Sequence, residues 1–171
     1  MTVYTTMDSP LGELLLVGEE SAAGEAGTAL ASLSMPGQRN GAVVQDGWIE
    51  KAEAFTGIVA QLRSYFDGGL TGFDIEYVTG GSDFQQRVWT ALEAIPYGTT
   101  LSYGAVAQQI GAPKAAVRSV GAAIGANPLL VVRPCHRVIG ASGALTGYAA
   151  GLERKQQLLD LEHTHRLPDL A

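Results

Sequence analysis

Cys135 is the only cysteine among 171 residues, so it can form neither an internal disulfide nor a cysteine-based zinc site. Two roles remain: a buried thiol acting as a small hydrophobe, or a nucleophile. Its neighbours Pro134, His136 and Arg137 bear on that choice. Proline fixes φ and favours the first turn of a helix or a tight turn, where free backbone amides cluster. A thiol at such a place has its thiolate favoured by those amides and by nearby positive charge. His136 supplies a base and Arg137 adds local positive potential. Consecutive side chains do not ordinarily face each other, so His136 would reach Cys135 through a water or a bent backbone.

The elements that must position this turn lie mostly upstream. Asn127-Pro128 precedes Leu129-Leu130-Val131-Val132, an apolar run that reads as a buried strand delivering the chain to Pro134. Before it stands a helix–turn–helix candidate, with Ser102 to Ile110 as a short helix, Gly111-Ala112-Pro113 as the turn and Lys114 to Ile124 as the second helix. That second helix is built from Ala115, Ala116, Ser119, Gly121, Ala122 and Ala123, with Arg118 a long cation among them. Small side chains let its backbone approach closely, either to another helix or into a narrow groove. Earlier still, Ser82 or Asp83 can cap a helix whose Phe84, Val88, Leu92 and Ile95 share a face, and Pro96-Tyr97-Gly98 ends it.

The N-terminal part has a different character. Thr2 to Thr6, the turn Ser9-Pro10-Leu11-Gly12 and the apolar run Leu14 to Val17 predict a hairpin. A further strand fits Leu30 to Met35. Residues 49–67 read as helical, with Phe55, Ile58, Val59, Leu62, Tyr65 and Phe66 on one face and Gly68-Gly69 as the stop. Phe73, Ile75 and Tyr77 alternate with Asp74 and Glu76 as a half-buried strand, and Thr79-Gly80-Gly81-Ser82 reads as a domain boundary.

Charge divides along the same line. The net charge of −6 is unfavourable for a polyanion's partner, yet residues 1–100 carry −9 and residues 101–171 carry +3, with no acidic residue from 101 to 152. A mildly cationic C-terminal face permits DNA binding through few phosphate contacts. The first twenty residues contain no Lys or Arg and no apolar run approaches a membrane span. The expectation is a soluble cytoplasmic globule.

Pro134-Cys135-His136-Arg137-Val138, with Cys135 eight residues after the Asn127 of Asn127-Pro128 and followed by Ser142-Gly143 and Gly147-Tyr148, resembles the active-site signature of the O6-alkylguanine-DNA alkyltransferases. Tyr65-Phe66-x-Gly68, Phe84-Gln85-x-x-Val88-Trp89, Ile95-Pro96-Tyr97-Gly98, Ser102-Tyr103-Gly104 and Leu158-Leu159-x-x-Glu162 follow in the family order. The resemblance is strongest over residues 84–162. It implies an α+β protein: an N-terminal α/β domain with a small antiparallel sheet over 1–80, a helical, winged-helix-like alkyltransferase domain with the helix–turn–helix over 81–163, and a tail from 164 to 171.

The function so implied is direct repair: one-time transfer of the alkyl group from O6-alkylguanine, with O4-alkylthymine as a second substrate, to Cys135. Chemistry on a base requires taking it out of the duplex, and entry from the minor groove favours small side chains. By position, His136 is the base acting through a water and Glu162 orients it. Tyr103 pushes the target nucleotide outward, Arg118 fills its place, and Ala115, Ala116 and Gly121 let the helix approach. Asn127 braces the turn, while Val138, Tyr148 and Ala149 line the pocket. No cofactor and no metal are implied. The partner is double-stranded DNA, met by a monomer that can cluster on it, with no obligate protein partner and no membrane.

The chain departs from the family pattern in places. One extra residue lies between Pro113 and Arg118, and Arg133 stands where an apolar residue is usual, adding a phosphate contact or altering alkyl preference. Leu130 and Ala150 replace a frequent Pro and Gly. Three rival readings need weighing. A non-enzymatic alkyltransferase-like binding module would lack the cysteine, and a helix–turn–helix regulator would need an effector or dimerisation segment. A Cys-His hydrolase would need an oxyanion site and local signatures that are missing. His163, His165 and Asp160 read as solvated rather than metal-binding.

Overall fold

The computed structural model describes residues 1–20 and 27–165. The hairpin forms as its turn dictates. Ser9 Oγ donates to the Gly12 carbonyl and accepts from Leu11 N–H, while Gly12 takes a positive φ of 104°. β1 (Thr2–Ser9) and β2 (Gly12–Glu20) then pair antiparallel from Thr2↔Glu19 to Ser9↔Gly12. Val3, Thr5 and Met7 face inward with Leu14 and Leu16, the period-2 pattern of a half-buried strand. β3 (Thr28–Ser34) pairs antiparallel with β2, and the register shifts at Val17/Gly18. A Cβ on Gly18 would fall 2.5 Å from Thr28 Cγ2, so only glycine fits that irregularity.

The sheet is mixed rather than purely antiparallel. Ile49–Glu50 forms a short β4 running parallel to β1, giving the order β3-β2-β1-β4. The helical expectation for 49–67 therefore holds only in part: a 3-10 turn covers Ala52–Phe55 and α1 covers Thr56–Phe66. Strand beats helix at Ile49 because the β1 edge offers backbone partners, as in Lys51 N–H to the Tyr4 carbonyl at 2.9 Å. Phe55, Ile58, Leu62 and Tyr65 are buried beneath the sheet as the spacing predicts. Residues 73–77 show the expected alternation of exposure, but their ladder pairing is a single parallel bridge, Tyr77 to Leu30. Gln61 holds the Asp74 backbone through both its amide atoms.

The chain divides into two units, one of Met1–Gly80 with Pro128–Val132 and the other of Gly81–Asn127 with Arg133–Ala171. In the first, Leu33 takes Leu129 as a parallel bridge partner, with Leu33 N–H to the Pro128 carbonyl at 2.9 Å. The buried strand expected over Leu129 to Val132 does not extend past that bridge. Val132 N–H instead donates to the Leu130 carbonyl at 2.8 Å, and Val131 between them has φ 69°. This is the rare γ-turn, a strained setting for a β-branched residue.

In the second unit, α2 (Asp83–Glu93) starts on a complete capping box between Ser82 and Gln85. α3 (Tyr103–Gln109) starts on Ser102, whose hydroxyl accepts from Ala105 N–H. The expected second helix begins as a 3-10 turn over Lys114–Ala116 and becomes α4 at Val117–Gly125. Ala115 and Ala116 thus sit ahead of the α-helix rather than in it. Trp89 Nε1 ties α2 to α4 by donating to the Ala123 carbonyl at 2.8 Å. Two parallel two-residue strands, β5 (Leu101–Ser102) and β6 (Val138–Ile139), join the start of α3 to the residues after Cys135–Arg137. α5 spans Leu152–His165, so the expected tail is helical at 164 and 165, and its remainder lies outside the described residues. No helix among the described residues is long and apolar enough to cross a membrane.

Candidate active site

Cys135 opens a 3-10 turn over Cys135–Arg137, with Pro134 ahead of it at φ −78°, ψ 60°. Cys135 N–H donates back to the Arg133 carbonyl at 2.7 Å, an inverse γ-turn that reverses the chain immediately before the thiol. The side chain is 4% exposed. Burial pushes the Cys135 thiol up, while a hydrogen bond from Asn127 and the charges of Lys155 and Arg133 pull it down. The net direction is upward, so the resting sulfur is a thiol that needs a base.

That base has a defined tautomer. His136 is fully buried, and its Nε2 lies 2.6 Å from Glu162 Oε2. Burial would raise the Glu162 carboxyl, but hydrogen bonds from His136 and Arg137 hold it well below the usual carboxylate range. An ionised carboxylate only accepts, so Nε2 carries the proton and donates, leaving Nδ1 with its lone pair. Nδ1 has no protein partner among the described residues. Burial also lowers the His136 pKa against the pull of Glu162. We hold it neutral at rest because Arg137 already matches the carboxylate: its Nε and Nη2 donate to Oε1 and Oε2 at 2.8 and 3.0 Å. Arg137 Nη1 meanwhile donates to the Ile95 carbonyl at 2.6 Å. The geometry is base–orienter–counter-ion, all buried.

The loop between β6 and α5 covers this turn's other neighbours. Gly140 N–H to Ala144 O and Gly143 N–H to Gly140 O fold its tip, with Gly143 at φ 86°. Lys155 is buried on α5 and donates to the Gly147 carbonyl at 2.8 Å, next to Tyr148 and Ala149. The Tyr148 hydroxyl is buried without a protein partner among the described residues. Burial, then the Cys135 and Glu162 charges, keep it protonated by raising its pKa well above the ordinary value. It is therefore a protonated donor within electrostatic reach of the sulfur. Lys155 Nζ also lies 5.9 Å from the Tyr103 ring, and Tyr103 sits against Gly121, where a Cβ would be at 3.9 Å. Ala115, Arg118, Ser119, Ala122 and Ala126 are exposed, at spacings that make one narrow solvent face along the 3-10 turn and α4. Arg118 and, four residues before it, the exposed Lys114 are its long side chains.

Residues 83–164 match the 6-O-methylguanine DNA methyltransferase DNA binding domain, and residues 2–78 match the ribonuclease-like domain of the same family. The methylated-DNA–protein-cysteine methyltransferase of Mycolicibacterium paratuberculosis is 54% identical over 165 residues, covering 96% of this chain and 94% of that one. The chain belongs to the methylated-DNA–protein-cysteine methyltransferase family. A Methanosarcina acetivorans methyltransferase is 44% identical over 159 residues, covering 93% of this chain and 97% of its own. Among solved structures, Mycobacterium tuberculosis OGT in complex with DNA superposes with a TM-score of 0.86 at 50% identity, over 95% of this chain and 94% of that one. Membership of this methyltransferase family sets aside the regulator, the non-enzymatic module and the hydrolase.

In this methyltransferase three cations are buried where their residue types alone suggest solvation. Arg137 read as diffuse positive potential and is the bidentate partner of Glu162. Lys155, which no sequence motif singles out, is buried against the loop. Arg133 is 3% exposed and stacked 4.8 Å over the Trp89 ring, so it makes no phosphate contact. The signal for Arg137 and Lys155 was faint: both lie within residues that otherwise pack as core, Arg137 between His136 and Val138 and Lys155 three residues before Leu158.

Proposed function

We propose that this methyltransferase repairs O6-alkylguanine in duplex DNA by transferring the alkyl group to Cys135, once per molecule. What carries the reading is the buried Cys135 turn beside a neutral His136 whose Nε2 is committed to Glu162, which leaves Nδ1 as the base. The Cys135 proton passes to Nδ1 through one water. The sulfur attacks the alkyl carbon, a C–S bond forms and the O6–carbon bond breaks with its electrons left on guanine. Guanine takes up a proton, so the net change replaces the thiol hydrogen by the alkyl group. Glu162 stabilises the imidazolium that forms in between, against the repulsion of the Arg137 charge. Water does not cleave the resulting thioether, so transfer ends the molecule's activity.

The sulfur is too buried to reach a stacked base, so the target nucleotide must be extruded into the pocket. The small exposed face of α4 suits minor-groove entry. In this reading Arg118 occupies the vacated stack, Tyr103 displaces the nucleotide, and Asn127 holds the turn. Tyr148, the Ala149 amide and the Val138 carbonyl meet the flipped guanine. The test is intact-protein mass after mixing with a duplex containing one O6-methylguanine. We expect a gain of one methylene on Cys135, limited to one equivalent and absent in Cys135→Ala. Multiple turnovers, or methylation elsewhere, would overturn the proposal.

A further inference from the structure

The turn that presents Cys135 is clamped by a charged residue whose presence the fold does not explain. Arg133 Nη1 donates to Asn127 Oδ1 at 3.2 Å, and Asn127 Nδ2 donates to the Arg133 carbonyl at 3.2 Å. The guanidinium has no acceptor atoms, so it dictates which end of the amide faces it: the oxygen. The nitrogen must then face the other way, and Asn127 indeed hydrogen-bonds the Cys135 side chain in the sense that favours its anion. The guanidinium's other face lies on Trp89, itself fixed by its bond to Ala123. A buried guanidinium is costly, and an apolar side chain of similar volume is commonly neutral or stabilising in such a place.

We propose that Arg133 is a positioning residue for alkyl transfer: it locks the Asn127 amide with Nδ2 toward the Cys135 sulfur and holds a positive charge beside the atom that must become negative. This rests on Cys135 being the alkyl acceptor. Around that sulfur the other ionisable groups are His136 on its own turn, Tyr148 from the loop, and Lys155 and Glu162 from α5. The Arg133 charge lowers the thiol against its burial, in the direction the clamp requires. Removing Arg133 therefore leaves His136 as base but gives it a harder proton to take.

The experiment is single-turnover methyl transfer by the full chain at saturating duplex carrying one O6-methylguanine, followed by intact mass from about pH 6 to about pH 10. For Arg133→Met we expect a melting temperature equal to or above the parent's. We also expect a rate roughly tenfold lower at neutral pH and a pH midpoint raised by about one unit. Arg133→Lys, which keeps the charge without the fork, should recover part of both. A folded Arg133→Met with the parent's pH midpoint overturns the inference, even if its rate is uniformly lower. Should that variant fail to fold, Arg133→Gln decides by the same midpoint. If the parent protein itself gains no mass at Cys135, the acceptor assignment fails, which is a different result from an unmoved midpoint.

Discussion

Replacing Glu162 by glutamine changes one atom and tests the whole relay. Glu162 is 1% exposed and accepts from His136 Nε2, Arg137 Nε and Arg137 Nη2 at 2.6–3.0 Å, with Gly98 N–H more distant at 3.4 Å. A glutamine keeps one accepting oxygen. Its amino group must face the guanidinium whichever way the amide turns, and at the Oε2 position the imidazole N–H as well; both are donors, so at least one strong bond becomes a repulsive contact. The Arg137 charge also stays buried without its counter-ion. Breaking a buried pair from one side costs about 3–5 kcal/mol, which for a chain of this size lowers Tm by roughly 6–20 °C. The kinetic effect is separate. Without the carboxylate nothing fixes the His136 tautomer or stabilises its charged form, and a general base contributes about 10²–10⁴ in rate. Differential scanning calorimetry and rapid-quench methyl transfer on the same preparation read the two effects. A Glu162→Gln protein that melts within about 1 °C of the parent and transfers within about threefold would refute the ionised, doubly clamped Glu162 described above.

Other outcomes follow from the same geometry. Arg118→Ala should slow transfer from duplex but leave transfer from a single-stranded oligonucleotide unchanged, because only the duplex has a stack to fill; equal slowing on both would count against that role. Ala122→Leu lies on the exposed face of α4, so stability should stay within about 0.5 kcal/mol while fluorescence-anisotropy affinity for duplex falls roughly tenfold or more. Stability should also decline on the acid side. The folded-state pKa values of both His136 and Glu162 are depressed, so the unfolded chain binds protons first: below the ordinary 6.5 for the histidine and below 4.5 for the carboxylate. Melting temperature should hold above neutrality, fall as pH drops through that first value and fall faster below the second. Glu162→Gln should lose the lower limb, and a flat profile from neutral to acid pH would contradict the burial of both groups.

Local chemistry was readable where it is complete within a few residues. Ser9-Pro10-Leu11-Gly12 carries its own turn bonds, and Ser82 with Gln85 closes a capping box from adjacent sequence alone. The Pro134-Cys135 turn is local too. What escaped is decided by distant partners. Ile49 lies within the stretch read as helical but finds the edge of β1. Leu129 to Val132 is as apolar as a strand, yet the bridge stops at Leu129 and the γ-turn at Val131 ends the run. Arg137 meets Glu162 from α5 and Lys155 meets the Gly147 carbonyl. A charged residue read alone is expected to be solvated, so burial through a partner outside its own turn leaves only a faint local trace.

The bridge between Leu33 and Leu129 has a consequence for how the protein is made. Synthesis runs from the N-terminus and domains tend to fold as they emerge, yet the first unit is not complete when Gly80 leaves the ribosome. Its β3 strand waits for Pro128–Val132, which arrives only after α2, α3 and α4 of the second unit have been translated. The order of maturation is therefore interleaved, and Cys135, three residues past that segment, enters a protein whose β3 edge gains its Leu129 bridge at nearly the same moment. Cutting the gene at the glycine pair would separate Leu33 from its partner and leave an apolar Leu129-Leu130-Val131-Val132 run stranded on the other fragment. Two proteins expressed from such halves would be poor at folding apart and could be rejoined only by meeting.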